Sequence, residues 1–414
     1  MPETDTSRAI LGWTKRIIDS CGPRPAGSQA CLDSAKLIAR DLEENCDRVE
    51  LQEFSCRPMA FIAFETLSAV VGAIAAALLF FGFTYPALAL FWFVALVAIT
   101  QFGLYFEVID RFFPRKRCTN VVATLEPQGP VKRQIIISGH HDSAFEFRWL
   151  RFSPLAYVSI GAWQQVAQYG MPLVLAGLLV AQGLGAIMLS EGLLRGLAIF
   201  AFVPAVIFTT YFTRRAVPGA GDNLVSSGMA VHAAKIFRQR LQVDPEALSG
   251  TRLLLVSFDA EESGLRGSRA FVQQNLDQLS SVPTVMLNLE SFYKLKDLKV
   301  LVADLNGFRK LSRRVADLWI EEGKAEGIEV KTMKLFFGLG ATDAAELAKV
   351  GVEAATLLAV PSNPIGAGRV LYHTREDVPE NLEPEVIDAA ARITLRMVDR
   401  LSKEPAVKAE TVAA

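Results

Sequence analysis

Two long stretches almost free of charge, roughly 61–108 and 153–213, constrain this chain more than any other feature. From Phe61 to Phe106 the only ionised side chain is Glu65. A bilayer core of about 30 Å takes roughly 20 apolar residues per helix. The first stretch holds two such spans, about 62–83 and 86–107, broken near Thr84-Tyr85-Pro86. A hairpin buried in a soluble core is the competing reading. The length and near absence of charge favour the membrane. The second stretch gives spans at about 171–190 and 192–213, with Glu191 at the tip. Residues 153–169, with Trp163, Gln164 and Gln165, read as a weaker segment at the interface. The expectation is an integral membrane protein, in the inner membrane if bacterial, with four transmembrane helices in two inserted hairpins.

Without the two stretches about 300 residues remain, enough for one ordinary soluble domain. It is assembled from 1–60, 112–152 and 214–404, and 405–414 reads as a disordered tail. A net charge of −1 provides no field toward nucleic acid or acidic substrates. No Lys/Arg-rich run with interleaved aromatics appears, so no nucleic-acid partner is expected. The five cysteines are scattered and form no CxxC pair. They read as small buried hydrophobes in a reducing compartment. The opening residues are polar and acidic, without the apolar core of a signal peptide.

Helices are expected at 6–20 and 29–45, the second with Cys31, Ala35, Ile38 and Leu42 on one face. Ser28 is a plausible N-cap after the turn CGPRPAG. VELQEF (49–54), NVVATL (120–125) and QIIISGH (134–140) read as strands. Beyond Arg214, strands at 252–259, 284–289, 297–303, 328–333 and 354–358 alternate with helices at 223–241, 265–276, 307–325, 341–350 and 381–402. That rhythm predicts an α/β domain, a mostly parallel mixed sheet covered by helices.

The chemistry-bearing residues fall at strand ends. His140 closes a strand and Asp142 follows it, so an imidazole could meet a metal with a carboxylate behind it. Asp222 lies in the Gly-rich turn PGAGDN, where a carboxylate could bridge two ions or simply cap the next helix. Glu261 and Glu262 end an apolar strand. Such a pair repels unless a cation or proton intervenes, so one could bind metal while the other moves a proton; a solvated loop pair is the plainer reading. Glu290 also follows a buried strand. His373 sits in a loop, where a lone histidine is usually surface. Together these nitrogens and carboxylates suit two zinc ions.

In this order the motifs resemble the di-zinc metallopeptidase family twenty-eight, which contains bacterial leucyl aminopeptidase and glutamate carboxypeptidase. GPRPAGS (22–28), SGHHDS, PGAGDNLVSSG, FDAEESGLRGS and YHT each look like one of its motifs. The resemblance spans the whole soluble part and implies a zinc-peptidase, phosphorylase/hydrolase-like fold. It implies that His140 and Glu290 bind one zinc, Glu262 and His373 the other, and that Asp222 bridges them. Glu261 would be the general base and Asp142 the support of His140. Asp343 falls where the family places a substrate-side loop. One departure is Glu290, where the family more often has Asp. The expected activity is hydrolysis of N-terminal residues from a peptide substrate. A single-zinc glutaminyl cyclase-like transferase and an inactive membrane scaffold are the alternatives. Arginines flanking the hairpins predict a cytoplasmic catalytic domain.

Overall fold

The computed structural model describes residues 5–248 and 250–404. The expected tail at 405–414 lies outside the described residues. The strands are β1 (Arg48–Cys56), β2 (Lys116–Leu125), β3 (Arg133–His140), β4 (Phe145–Phe147), β5 (Phe212–Ala216), β6 (Thr251–Phe258), β7 (Thr284–Phe292), β8 (Leu298–Asp304), β9 (Arg309–Lys310), β10 (Lys331–Lys334) and β11 (Glu353–Ala359). Nine form one mixed sheet in the order β1-β2-β6-β3-β7-β11-β8-β10, with β9 beside β8. Its centre, β6-β3-β7-β11, is parallel, and β1, β2 and β8 run antiparallel to their inner neighbours.

The central strands read as unbroken apolar runs because helices cover both faces. Ile135 and Ile137 join one core with Leu253 and Leu255, while Ile136 joins the other with Leu254 and Met286. Register does the positioning. His140 pairs with Phe258 and Ser138 with Asn288. The carboxyl ends of β3, β6 and β7 therefore finish side by side, where ligands gather in such sheets. The helix Val225–Val243 packs across β3 so closely that a Cβ on Gly139 would lie 2.5 Å from Ser226 Cβ.

Most expected elements lie within a few residues of their predicted bounds. The helix expected from 307 begins only at Arg313. Asn306 turns left-handed, a conformation Asn tolerates, and β9 pairs back onto β8 first. β4 and β5 form an unforeseen two-stranded ribbon.

Among the described residues four helices are long and apolar enough to cross a membrane: Pro58–Phe80, Thr84–Gly103, Pro154–Gly183 and Glu191–Phe208. The first break falls at 81–83, not at Pro86, because proline is tolerated in a first helical turn. The segment expected at the interface, 153–169, is part of the third helix, which runs on to Gly183. The chain at 184–190 is not helical, and the fourth helix stops at Phe208 ahead of β5. The hairpins pack as one bundle around Ala75, Ala76, Ala87, Ala167, Ala198 and Ala201. Small side chains let helices approach closely without relying on expulsion of water. Leu67, Ile74, Phe93, Leu173, Val180 and Phe202 face outward.

Candidate metal centre

Asp222 sits at the middle of the site. Its Oδ1 lies 3.2 Å from His140 Nε2 and its Oδ2 lies 3.0 Å from His373 Nε2. Glu290 Oε1 stands 3.3 Å from His140 Nε2, and Glu262 Oε1 stands 3.3 Å from His373 Nε2. Two triads result, His140–Asp222–Glu290 and Asp222–Glu262–His373, each with ligating atoms within 4.8 Å of one another. Glu261 lies beside the first, with Oε2 3.7 Å from His140 Nε2. Glu290 thus places its carboxylate within the triad.

The donors are poorly satisfied by protein. His140 Nε2, His373 Nε2, Glu262 Oε1 and Glu290 Oε2 are buried with no hydrogen-bond partner. Buried polar atoms are normally paired, and orphans cost on the order of 1–3 kcal/mol each. Two orphans in each triad fit cations that take N and O ligands.

The electrostatics agree. Burial raises the Glu290 carboxyl to about 8 and lifts Glu261 well above the usual range, with Glu290 and Asp343 adding repulsion at Glu261. Burial opposes charge on His373, but Glu262 and Asp222 outweigh it and raise the imidazole to about 10. Burial also pushes Asp222 up, yet contact with His140 and His373 holds it well below its ordinary value. Without a metal the cluster keeps protons where a cation would otherwise neutralise it.

Several residues hold this arrangement. Asp142 Oδ1 lies 3.3 Å from His140 Nδ1, and its two oxygens accept the N–H groups of Glu261 and Glu262 at 3.1 and 3.2 Å. One side chain therefore ties the β3 end to the Glu-Glu turn. Three further supports escaped the sequence reading. Asp377 accepts the N–H groups of Gly221 and Asp222 and the Tyr293 hydroxyl. Asn223 donates to Leu289 O and accepts from Ser291 N, joining the bridging turn to β7. Arg24, fully buried, donates to the carbonyls of His141, Gly22 and Gly219. Arg24 and Asn223 lie within the motifs GPRPAGS and PGAGDNLVSSG; Asp377 carries no signal beyond proximity to His373. His141 turns away and pairs its Nδ1 with Ser257. His232 belongs to neither triad.

Asp343 is fully buried, and neither oxygen has a hydrogen-bond partner. Burial raises it to about 7, opposed by His140 and by nearby Ser268, whose hydroxyl donates instead to Leu265 O. A cavity of about 420 Å³ opens from Asp222, Glu261, Glu262, Glu290 and His373 toward the apolar helices. Phe147 lies 4.3 Å from the His373 ring, Tyr157 stacks on Phe147 at 5.5 Å, and Tyr211 stacks on Tyr157 at 4.8 Å. An aromatic wall thus runs from a candidate ligand into the bundle.

Residues 206–398 match the profile of peptidase family M28. The match includes Asp222, Glu261, Glu262, Glu290 and His373, with His140 and Asp142 N-terminal to it. No curated protein sequence matches the chain. Among solved structures, the aminopeptidase from Aneurinibacillus sp. strain AM-1 superposes with a TM-score of 0.55 at 14% identity, covering 99% of this chain and 98% of that one. A Zn-dependent exopeptidase from Parabacteroides distasonis gives 0.54 at 13%, covering 96% and 99%. A glutaminyl cyclase from Bacteroides thetaiotaomicron, bound to N-acetylhistamine, gives 0.56 at 12%, covering 98% and 99%. At these identities the likeness is one of fold.

Proposed function

We propose that this chain is a membrane-anchored, zinc-dependent exopeptidase of family M28, acting first as an aminopeptidase. The observation that carries the reading is Asp222, whose two oxygens serve two separate triads of buried, unpartnered donors. His140, Asp222 and Glu290 would hold one zinc, and Asp222, Glu262 and His373 a second. Zinc in such sites supplies Lewis acidity toward the scissile carbonyl and lowers the pKa of a water. Glu261 accepts the proton of the attacking water and delivers it to the leaving amine. Its raised affinity for protons belongs to the metal-free cluster, since bound cations reverse the local balance. Asp142 orients His140 and fixes the turn that presents Glu261. The wall of Phe147, Tyr157 and Tyr211 excludes water from one side of the reacting groups.

Similarity to a glutaminyl cyclase keeps a second reading in view, a transferase that cyclises N-terminal glutamine. One experiment separates them. Zinc per chain is measured on the purified protein, which is then given a peptide library and glutamine-initiated peptides. Two zinc ions with release of N-terminal residues support the peptidase. One zinc with loss of ammonia from glutamine peptides supports the cyclase. Neither product from zinc-loaded protein leaves the inactive scaffold.

A further inference from the structure

A second concavity, of about 580 Å³, opens beside the β4–β5 ribbon. Its lining is basic. Arg148 and Arg151 come from the short helix Arg148–Phe152, Arg214 and Arg215 from β5, and Arg375 from the loop after His373. Arg375 is committed to Glu146, which it grips with two hydrogen bonds of 2.9 and 3.1 Å. Among the described residues the other four guanidinium groups have no direct carboxylate ion pair, although Glu146, which also lines the pocket, attracts Arg151 and Arg215 through space and Arg151 lies over the ring of Phe152. Five arginines around a single carboxylate leave a net positive pocket whose cations repel one another, a repulsion that a bound anion would relieve. Guanidinium groups match phosphate oxygens in pairs, which makes phosphate the natural occupant.

The place of the pocket selects the source of that phosphate. Arg148 and Arg151 precede the helix Pro154–Gly183, and Arg214 and Arg215 follow the helix Glu191–Phe208. Both ends of one apolar hairpin therefore enter at the rim. Phe152 and Leu155, 68% and 58% exposed, stand next to the charges on the hairpin side. Basic groups above, apolar groups below and helix ends between them describe a headgroup level.

We propose that this pocket binds the phosphodiester headgroup of an anionic membrane lipid, an inference that rests on the membrane reading of the four helices. The ribbon that forms the pocket also touches the candidate metal centre. Phe147 of β4 packs on His373 and donates its N–H to the His373 carbonyl at 2.9 Å. A seated headgroup would steady the ribbon behind that histidine.

Trp149, in the same short helix, donates to Thr210 and is a built-in reporter. The full chain is placed in mixed micelles with brominated phosphatidylglycerol or brominated phosphatidylcholine, and quenching is read as the difference from a Trp149→Phe variant. Preferential quenching by phosphatidylglycerol is expected. The double variant R214Q/R215Q should weaken that preference roughly thirtyfold, from the usual contribution of a basic residue at an anionic surface. If that variant does not fold, R148Q/R151Q tests the opposite wall. Equal quenching by both lipids, or an unchanged preference in the variant, overturns the proposal. Displacement by inorganic phosphate at matched ionic strength would assign the pocket to a soluble anion and also overturn it. The membrane reading is judged separately, by whether the chain stays with membranes washed in alkaline carbonate.

Discussion

Glu261 and Glu262 are neighbours in sequence with different places in the proposed chemistry. Glu262 meets His373, whereas Glu261 lies near His140 at a longer distance. Glu261→Gln keeps size and hydrogen bonding but cannot accept a proton. It should retain zinc while hydrolysis falls by about 10²–10⁴-fold. Steady-state rates beside metal content check this, and a near-normal rate would remove Glu261 from the role. His140→Ala and His373→Ala each delete one orphaned nitrogen, so each should lower bound zinc, and exhaustive chelation should abolish activity until zinc returns. Full activity after chelation would end the metal reading. The site was largely legible because its residues follow apolar strands in short, recognisable motifs. Asp377 was not, because its contacts to Gly221 and Asp222 span about 155 residues and depend on the folded loop. The departure of His141 from its neighbour His140 was also hidden. Successive residues at a strand end point to opposite sides, but sequence does not say which side holds the site.

At the scale of elements, strand register and helix approach decide whether the triads assemble. At Gly139, β3 packs so closely on the helix that follows Asp222 that no Cβ fits between them. Gly139→Ala would force that helix outward by pressing on Ser226 and on the backbone at Ser227. Overpacking of this kind costs about 1–3 kcal/mol. The expected result is a lower thermal midpoint together with weaker zinc binding, because Asp222 moves with the helix. A destabilised variant with unaltered zinc affinity would show that the turn at Asp222 is held independently, by Asp377. The strands of the sheet were readable from apolar runs bounded by turns. The β4–β5 ribbon was not. β4 is three residues long, and its partner lies beyond an entire hairpin, so no local pattern could reveal the pairing. The sequence pattern separates 153–169 from the next span because Trp163, Gln164 and Gln165 weaken its apolar character. In the fold Gln164 and Gln168 are buried, bonded to each other and facing the cavity.

For the molecule as a whole, two expectations concern its stability and its placement. The metal-free fold should weaken as pH rises from 6.5. Glu290 titrates near 8 against an ordinary 4.5, and His373 near 10 against 6.5. Raised values mean that the folded state keeps protons the unfolded chain has released, so their contribution is lost as pH climbs through the folded values. His141, depressed to about 3, acts only below its ordinary 6.5. Melting curves of chelated protein should therefore fall between pH 6.5 and 10, while zinc-loaded protein stays flatter; a chelated midpoint that rises would contradict this. Placement follows from charge. Both hairpins begin and end at one folded domain, so the residues flanking them can be taken together. Arg57, Arg111, Arg115, Lys116, Arg117, Arg148, Arg151, Arg214 and Arg215 lie on the domain side. The tips offer Arg195 alone, and it is paired with Glu191 at 3.0 Å. Basic residues flanking short loops are retained in the cytoplasm. The catalytic domain should face that side, which also suits the five cysteines, all free. A thiol reagent that cannot cross membranes provides the measurement on intact cells. A cysteine placed at Thr84, at a tip, should be labelled, and one placed on the exposed face of the domain at Lys324 should not. The reverse pattern would put the catalytic domain outside the cytoplasm and leave the arginine distribution without an explanation.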